Sequence, residues 1–498
     1  MRGEAAADSV GRSLAWLTAA SVVQQVSAFV LSVLLRSLLG PARTGIWNLV
    51  EVWRQQLSAV TLGVGQAADR DMPVLRAQGR SDEEAAVRSV TFSFTLGEAA
   101  AVALAFWVYW AIARENLDAS LALGFALVPV MASLTSLVSV YQLFLKNQKR
   151  FRVFALLGIA QLVIDWSALA FVLIGGLDAL LIGLAIGWVA RMALYWGVVR
   201  RLGLWRIHLG VRWALLKPML ALGLPLSLWS LAYQLILRVD SLVVGTALGT
   251  TALGFYFLGP QVAAALAALP TSISVISYPN LMESYGRGGR EALAPHLERY
   301  LRVMALVASP LMAAGGVFGM AILVRGFLAD FTPGLDAMQV FCLTLLFMQS
   351  GYVLTQVLVA TRRVRMLIGL TVGALAVEAA VLGLLALLGG LSIVDAAWGA
   401  VAGQAAMTIV LLVACARLLG LARADLVEFW GRVPAAWALL TGLILGLDAL
   451  GDVPSGLLDA VAQFAWQMAA FGVVGFVIVW LLDRAVVRET RALLRAGG

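Results

Sequence analysis

Leu39-Gly40-Pro41-Ala42-Arg43-Thr44-Gly45-Ile46-Trp47 and Leu248-Gly249-Thr250-Thr251-Ala252-Leu253-Gly254-Phe255-Tyr256 share one pattern: Leu-Gly, four residues, Gly, an apolar residue, an aromatic one. The two stretches lie 209 residues apart. A second pair stays nearly in register at an offset of 206: Pro73-Val74-Leu75 then Gly79-Arg80, against Pro279-Asn280-Leu281 then Gly286-Arg287. Gln25 and Gln234 also differ by 209. Turn, proline and polar positions that recur at one spacing indicate an internal duplication.

Outward from these motifs the chain alternates apolar stretches of membrane-spanning length with short polar gaps. Fourteen such segments are expected, at 14–39, 44–66, 88–112, 119–145, 153–175, 178–199, 218–245, 252–278, 301–324, 334–360, 366–390, 395–416, 434–450 and 459–482. Every second gap is basic. Those gaps with their helix edges, and both termini, hold 29 of the 36 Lys and Arg, while the opposite gaps hold only Arg43, Arg114 and Arg325. Basic loops stay cytoplasmic, so both termini are expected inside a cytoplasmic (inner) membrane. The duplicated unit is six segments long, so both copies enter the membrane in the same direction, as parallel repeats. The expected fold is an all-α integral membrane protein: fourteen transmembrane helices, two parallel six-helix lobes around a central cavity, and two extra C-terminal helices. The domains are placed at 1–199, an interfacial cytoplasmic linker at 200–217, a second lobe at 218–416, and the extra pair with a cytoplasmic tail at 417–498.

Composition narrows the function classes. Hydrophobic residues reach 61% and charged residues 13%, far from the soluble norm of roughly 45–50% and 25%. The net charge of +8 sits in cytoplasmic gaps, where anionic headgroups attract it, so the expected contact is membrane lipid and not nucleic acid. The first apolar stretch is too long for a cleavable signal peptide and lacks a clear small-residue cleavage site. Cys342 and Cys415 lie in apolar segments and read as packing residues, and His208 and His296 show no ligand spacing. The outward gaps are short. An enzyme polymerising or ligating glycans outside the cell would need a larger external loop, so no catalytic residues are expected.

Ionisable groups deep in a bilayer are expensive and face partners or water. Helical rise places Glu51, Arg54, Glu98, Asp165, Arg191 and Glu378 within about 8 Å of the midplane. Glutamines and tyrosines join them on segments one, two, seven and ten, among them Gln25, Gln55, Tyr233, Gln234 and Gln349. Plain structural roles compete. Glu51 and Arg54, three apart, can neutralise one another. Asp165 and Arg191 match in depth on neighbouring segments. Arg36 can snorkel to headgroups. Arg238 and Asp240, two apart, point to different helix faces. Glu378 is either buried and protonated or part of a cation or proton site.

Val239-Asp240-Ser241 to Gly245, Leu248-Gly249 to Gly254-Phe255-Tyr256, Leu269-Pro270 and Tyr278-Pro279-Asn280-Leu281 resemble the polysaccharide-lipid flippases. That family shares its superfamily with multidrug and toxin extruders and lipid II flippases. The resemblance implies carriage of an undecaprenyl-diphosphate-linked oligosaccharide between leaflets, for O-antigen, capsule or exopolysaccharide. It implies that Asp240 falls where lipid II flippases keep an acidic cation ligand, with Glu378 on the segment that supplies others. No cofactor is implied beyond a coupling Na+ or H+. Arg36 and Arg54 lie on segments that present arginines to the substrate. No arginine lies deep in segment eight, which has Pro260 and Gln261, and this favours the O-antigen or capsule type over lipid II. A cavity of Arg36, Arg54, Arg191 and Arg238 would hold the diphosphate, with Gln25, Gln55, Tyr233 and Gln234 meeting sugar hydroxyls. Other polysaccharide-assembly proteins are further expected partners. A cation-coupled drug extruder of the same superfamily is the competing expectation, carried by Glu51, Glu98 and Asp165.

Overall fold

The computed structural model describes residues 2–148, 150–203, 209–267, 293–295, 297–361, 363–420, 431–451 and 456–484, with Gly289. The repeat motifs at Leu269-Pro270, Tyr278 to Leu281 and Gly286-Arg287, both histidines, most of 417–432 and the C-terminal tail lie outside the described residues. Every regular element described is helical, and among the described residues twelve helical stretches are long and apolar enough to cross a membrane.

Twelve such helices correspond to fourteen crossings, because two of them are hairpins. Val23–Ala59 has 37 residues and Arg152–Arg201 has 50. At 1.5 Å per residue these would run about 56 and 75 Å, against a hydrocarbon core of about 30 Å. The first reverses at Gly40 (φ 69°, ψ 173°), the second at Gly175-Gly176 (φ 63° at Gly176). The reversal is plain from side chains: Arg36 donates to Asn48 at 3.1 Å, and Arg191 pairs with Asp165. A straight helix would separate the first pair by about 18 Å.

The duplication is visible in backbone angles. Gly249 has φ 92° and ψ 169°, close to Gly40 at 69° and 173°. Only glycine occupies that region at little cost. Each leads into the next helix through the same Gly-apolar-aromatic sequence, which explains why these residues recur.

Chain packing gives two compact units, Met1–Gln234 and Leu235–Gly498. They part inside segment seven, whereas the sequence placed the division in 200–217. Segment seven is discontinuous: Trp213–Ile236 is one helix, and a second stretch spans Val239–Leu248. Its first arm packs within unit one. Gly63 (φ 85°) and Gly223 meet backbone to backbone, and a Cβ on either would overlap the other. Beside them Thr61 and Ser227 hydroxyls are 3.2 Å apart, and Ser227 donates to Gln66 at 2.7 Å. Of the stretch 200–217 expected as an interfacial helix, 200–201 end the helix Phe151–Arg201, 209–212 are non-helical, and 213–217 open the helix Trp213–Ile236; Gly210 donates its N–H to Ser93 at 3.1 Å.

Segment two also stops early. Its helix ends at Ala59, and a second helix runs Val64–Ala77. Unwound backbone within a membrane must find its partners in protein. Here the Glu98 carboxylate accepts the Leu62 N–H at 2.5 Å.

Unit two carries the extra pair. The Trp437 indole donates to the Ala305 carbonyl at 3.0 Å, and Gln339 donates to Asp448 at 2.9 Å. Arg302 pairs with Asp483 at 2.9 Å. Close approach relies on small residues, as helices do where lipid is as apolar as leucine: Gly183 lies under Phe171, and Gly399 under Leu382. Both cysteines are buried, and the Cys415 thiol lies 3.6 Å from the Leu354 carbonyl.

Candidate functional site

Unit one gathers charge around one tryptophan. Arg54 donates through Nε to Glu51 at 2.7 Å, again through Nη2, and through Nη1 to Thr135 at 2.8 Å. Gln55 donates to the same Glu51 at 2.8 Å. The Arg54 guanidinium lies 4.9 Å from the Trp188 ring centre, and that of Arg191 lies 4.4 Å from it. Arg191 in turn pairs with Asp165. Two arginines thus share one indole, each paired with a carboxylate, the groups coming from segments two, five and six. Planar guanidinium groups stack on indole with a favourable cation–π term, which offsets part of their mutual repulsion. Both pairings that the spacing suggested, Glu51 with Arg54 and Asp165 with Arg191, are formed. Trp188 was not singled out by sequence, although it lies three residues before Arg191 on one helix.

Arg36 is enclosed and does not snorkel. Only 1% exposed, it donates to Ser32 and to Asn48 at 3.1 Å and lies 5.3 Å from the Trp47 ring centre. None of those partners is acidic. Its neighbours come from both arms of the first hairpin, so the guanidinium ties that hairpin together. Gln25 is exposed and Gln55 half-buried. Tyr233 is half-buried beside Trp229, ring centres 6.0 Å apart, and the Gln234 carbonyl accepts from Gln56 at 3.5 Å.

Unit two gathers carboxylates. Asp240, 1% exposed, begins the second stretch of segment seven. Its Oδ2 accepts the Tyr256 hydroxyl, with the Ser241 hydroxyl at 3.4 Å. Its Oδ1 has no donor, and neither oxygen of Glu378 has one. Glu378 is 0% exposed and close enough to Asp240 for the two to interact electrostatically. Gly403 makes room for it, since a Cβ there would overlap the Glu378 carboxylate. Arg238 also acts on Asp240 and lies 5.3 Å from the Phe257 ring centre. A cavity of about 70 Å³ adjoins Asp240, bounded by Arg238, Pro260, Thr344, Met348 and Gln404 among others.

Buried carboxylates without donors carry their charge only beside a cation, and otherwise take a proton. Asp240 Oδ1 and both Glu378 oxygens, buried in one unit without donors, have the chemistry to take a proton or a small monovalent cation. Among the described residues no cluster of three or more His, Cys, Asp or Glu suggests a more highly charged metal. Tyr256 and Gly403 were missed as site residues. Tyr256 was noticed only as the aromatic of the repeat.

Residues 73–330, just over half of the chain, match a family model described as polysaccharide biosynthesis protein. No curated protein matches. Among solved structures, the lipid II flippase MurJ in an inward closed conformation is similar at a TM-score of 0.69 and 11% identity, over 95% of this chain and 99% of that one. An inward-facing multidrug resistance MATE family transporter of the MOP superfamily gives 0.67 at 15% identity, over 80% and 94%. A MOP superfamily transporter from Pyrococcus furiosus gives 0.58 at 15%, over 82% and 95%. These identities speak for the fold alone, which is that of a multi-pass MATE/MurJ-like membrane transporter. On the family match, the chain belongs to the polysaccharide biosynthesis protein family.

Proposed function

We propose that this protein flips an undecaprenyl-diphosphate-linked oligosaccharide from the inner to the outer leaflet of the cytoplasmic membrane, for O-antigen, capsule or exopolysaccharide assembly. The observation that carries this reading is the pair of guanidinium groups on Trp188, at membrane depth, in a chain of a polysaccharide biosynthesis family. Arginine offers phosphate oxygens the same two-pronged geometry it offers carboxylates. The diphosphate would therefore exchange with Glu51 and Asp165 for Arg54 and Arg191, while glutamines and tyrosines take sugar hydroxyls and the prenyl tail stays in lipid.

Direction has a physical source. Moving two negative charges out of a negative-inside cell gains about 4.6 kcal/mol per 100 mV if the whole field is crossed. A cation at Asp240 and Glu378 would reset the cycle, with the two lobes exposing the site to each side in turn. No covalent step is involved, both termini face the cytoplasm, and assembly proteins on either side would supply and consume the lipid-linked glycan. Deleting the gene should leave a lipid-linked oligosaccharide on the inner leaflet, and vesicles with purified protein should translocate it. Deletion without that build-up sinks the proposal. The carboxylates Glu51, Glu98 and Asp165 support a second reading, extrusion of organic cations, which predicts drug sensitivity of the deletion strain with normal surface polymer.

A further inference from the structure

We infer that unit one holds a binding site for one small monovalent cation such as Na+, at the place where segment two breaks against Glu98. All of its residues belong to unit one, whereas Asp240 and Glu378 belong to unit two. A cavity of about 10 Å³ lies beside the break, bounded among others by Val60 of segment two, Thr95 and Glu98 of segment three, and Ser133 and Ser136 of segment four. That is about the space of one water or one ion. Glu98 is half-buried, and the Leu62 N–H donates to its Oε1 at 2.5 Å. Among the described residues nothing else donates to this carboxylate. A carboxylate at membrane depth is costly, and a single N–H offsets little of that cost.

The cavity wall offers oxygen lone pairs and few protons. A serine hydroxyl has a single proton to give. Ser133 gives its own to the carbonyl of Ala99, the residue after Glu98, at 3.3 Å, and Ser136 gives its own to Ala132 at 3.2 Å. Segment two adds the C-terminal end of its helix at Ala59. The Leu62 N–H has turned to Glu98, and among the described residues nothing donates to the Ala59 and Val60 carbonyls. Carbonyls at a helix end carry partial negative charge, and unwound backbone at membrane depth is suited to hold Na+. One carboxylate sets the charge of the guest. A monovalent cation cancels it, whereas a divalent one would leave a net positive charge in a medium of low dielectric. Bound there, the ion would tie segments two, three and four together at the break.

Equilibrium binding of radioactive sodium to the purified full-length protein, at one fixed pH, tests this. Glu98→Gln keeps an oxygen for the Leu62 N–H and removes the charge, so at saturation it should bind one Na+ fewer per protein than the wild type. The double variant Asp240→Asn with Glu378→Gln should still hold one Na+, which separates this site from the coupling site of the proposed function. In that double variant, Ser133→Ala and Ser136→Ala each remove one neutral ligand and should raise the sodium Kd about tenfold. Equal saturation of Glu98→Gln and the wild type overturns the inference, as does a double variant that binds no sodium. In the latter case any sodium on the wild type belongs to unit two, and the coupling site stands. Melting in choline chloride checks the fold of each variant. Should Glu98→Gln melt well below the wild type, the serine variants decide, and unchanged affinity in both overturns the site.

Discussion

Replacing Gly249 by alanine tests the turn on which the internal repeat depends. Gly249 sits at φ 92° and ψ 169°, with nothing within 4 Å of where a Cβ would lie. No neighbour resists the added methyl, so the whole effect is backbone strain in a region that only glycine enters cheaply, about 1–3 kcal/mol. Gly383 is the control. It lies in the helix Val364–Gly389, its Cβ would also meet nothing within 4 Å, and its φ is not positive. Alanine there should stabilise by about 0.5–1 kcal/mol through helix propensity. The same substitution at two open positions of one unit is thus expected to have opposite signs. The protein provides its own reporters, because Cys342 and Cys415 are both buried in that unit. Heating detergent-solubilised protein with a thiol-reactive fluorogenic dye would show Gly249→Ala melting several degrees below wild type and Gly383→Ala at or above it. In soluble domains each kcal/mol moves the midpoint by about 2–4 °C at this size. Equal melting of Gly249→Ala and wild type would refute the strained-turn account and, with it, the claim that Gly40 and Gly249 are structural equivalents.

Arg54→Ala should abolish flipping in vesicles while the protein still folds, and Arg54→Lys should lose at least about tenfold, because an ammonium cannot bind Glu51 twice, reach Thr135 and stack on Trp188 together. Normal polymer output from either variant would remove Arg54 from the site. Arg191→Ala should lower the melting point, since Asp165 loses its ion partner. The partial exposure of the pair keeps the cost to about 1–3 kcal/mol. The swapped pair Asp165→Arg with Arg191→Asp should recover part of that loss, and no recovery would mean that the pairing itself contributes little. Thr61→Cys with Ser227→Cys should form a disulfide on oxidation, given hydroxyls 3.2 Å apart. If that contact opens during alternating access, the oxidised protein stops flipping and reduction restores it. Undiminished flipping in the oxidised state would show that the contact never opens.

The crossings were legible because the energy that selects them is local. Burying about twenty apolar residues per segment in hydrocarbon needs no partner, so every segment expected from hydropathy has its helix. Even the merged hairpins break where the chain offers Gly40 and Gly175-Gly176. Charge pairs at matching depth were equally readable, Glu51 with Arg54 along one helix and Asp165 with Arg191 across one hairpin. The breaks at Leu237-Arg238 and at Val60 to Gly63 were not. Segment seven carries Pro218 and Pro225 within its first helix, yet stops later, where the sequence offers neither proline nor glycine. The segment-two break rests on Glu98, 36 residues away, and on a glycine 160 residues away.

By itself the sequence determined a duplicated, multi-spanning helical protein with arginines and carboxylates in its apolar interior. Only the tertiary structure decided which of those groups meet. Arg36, equally plausible as a headgroup anchor, is enclosed by its own hairpin, and Tyr256, an aromatic in a turn motif, reaches Asp240. In lipid, both faces of a helix can be apolar, so periodicity does not announce which one turns inward. The rotation of each helix comes from close packing at positions such as Gly403 and Gly183, and those contacts join residues far apart in the chain.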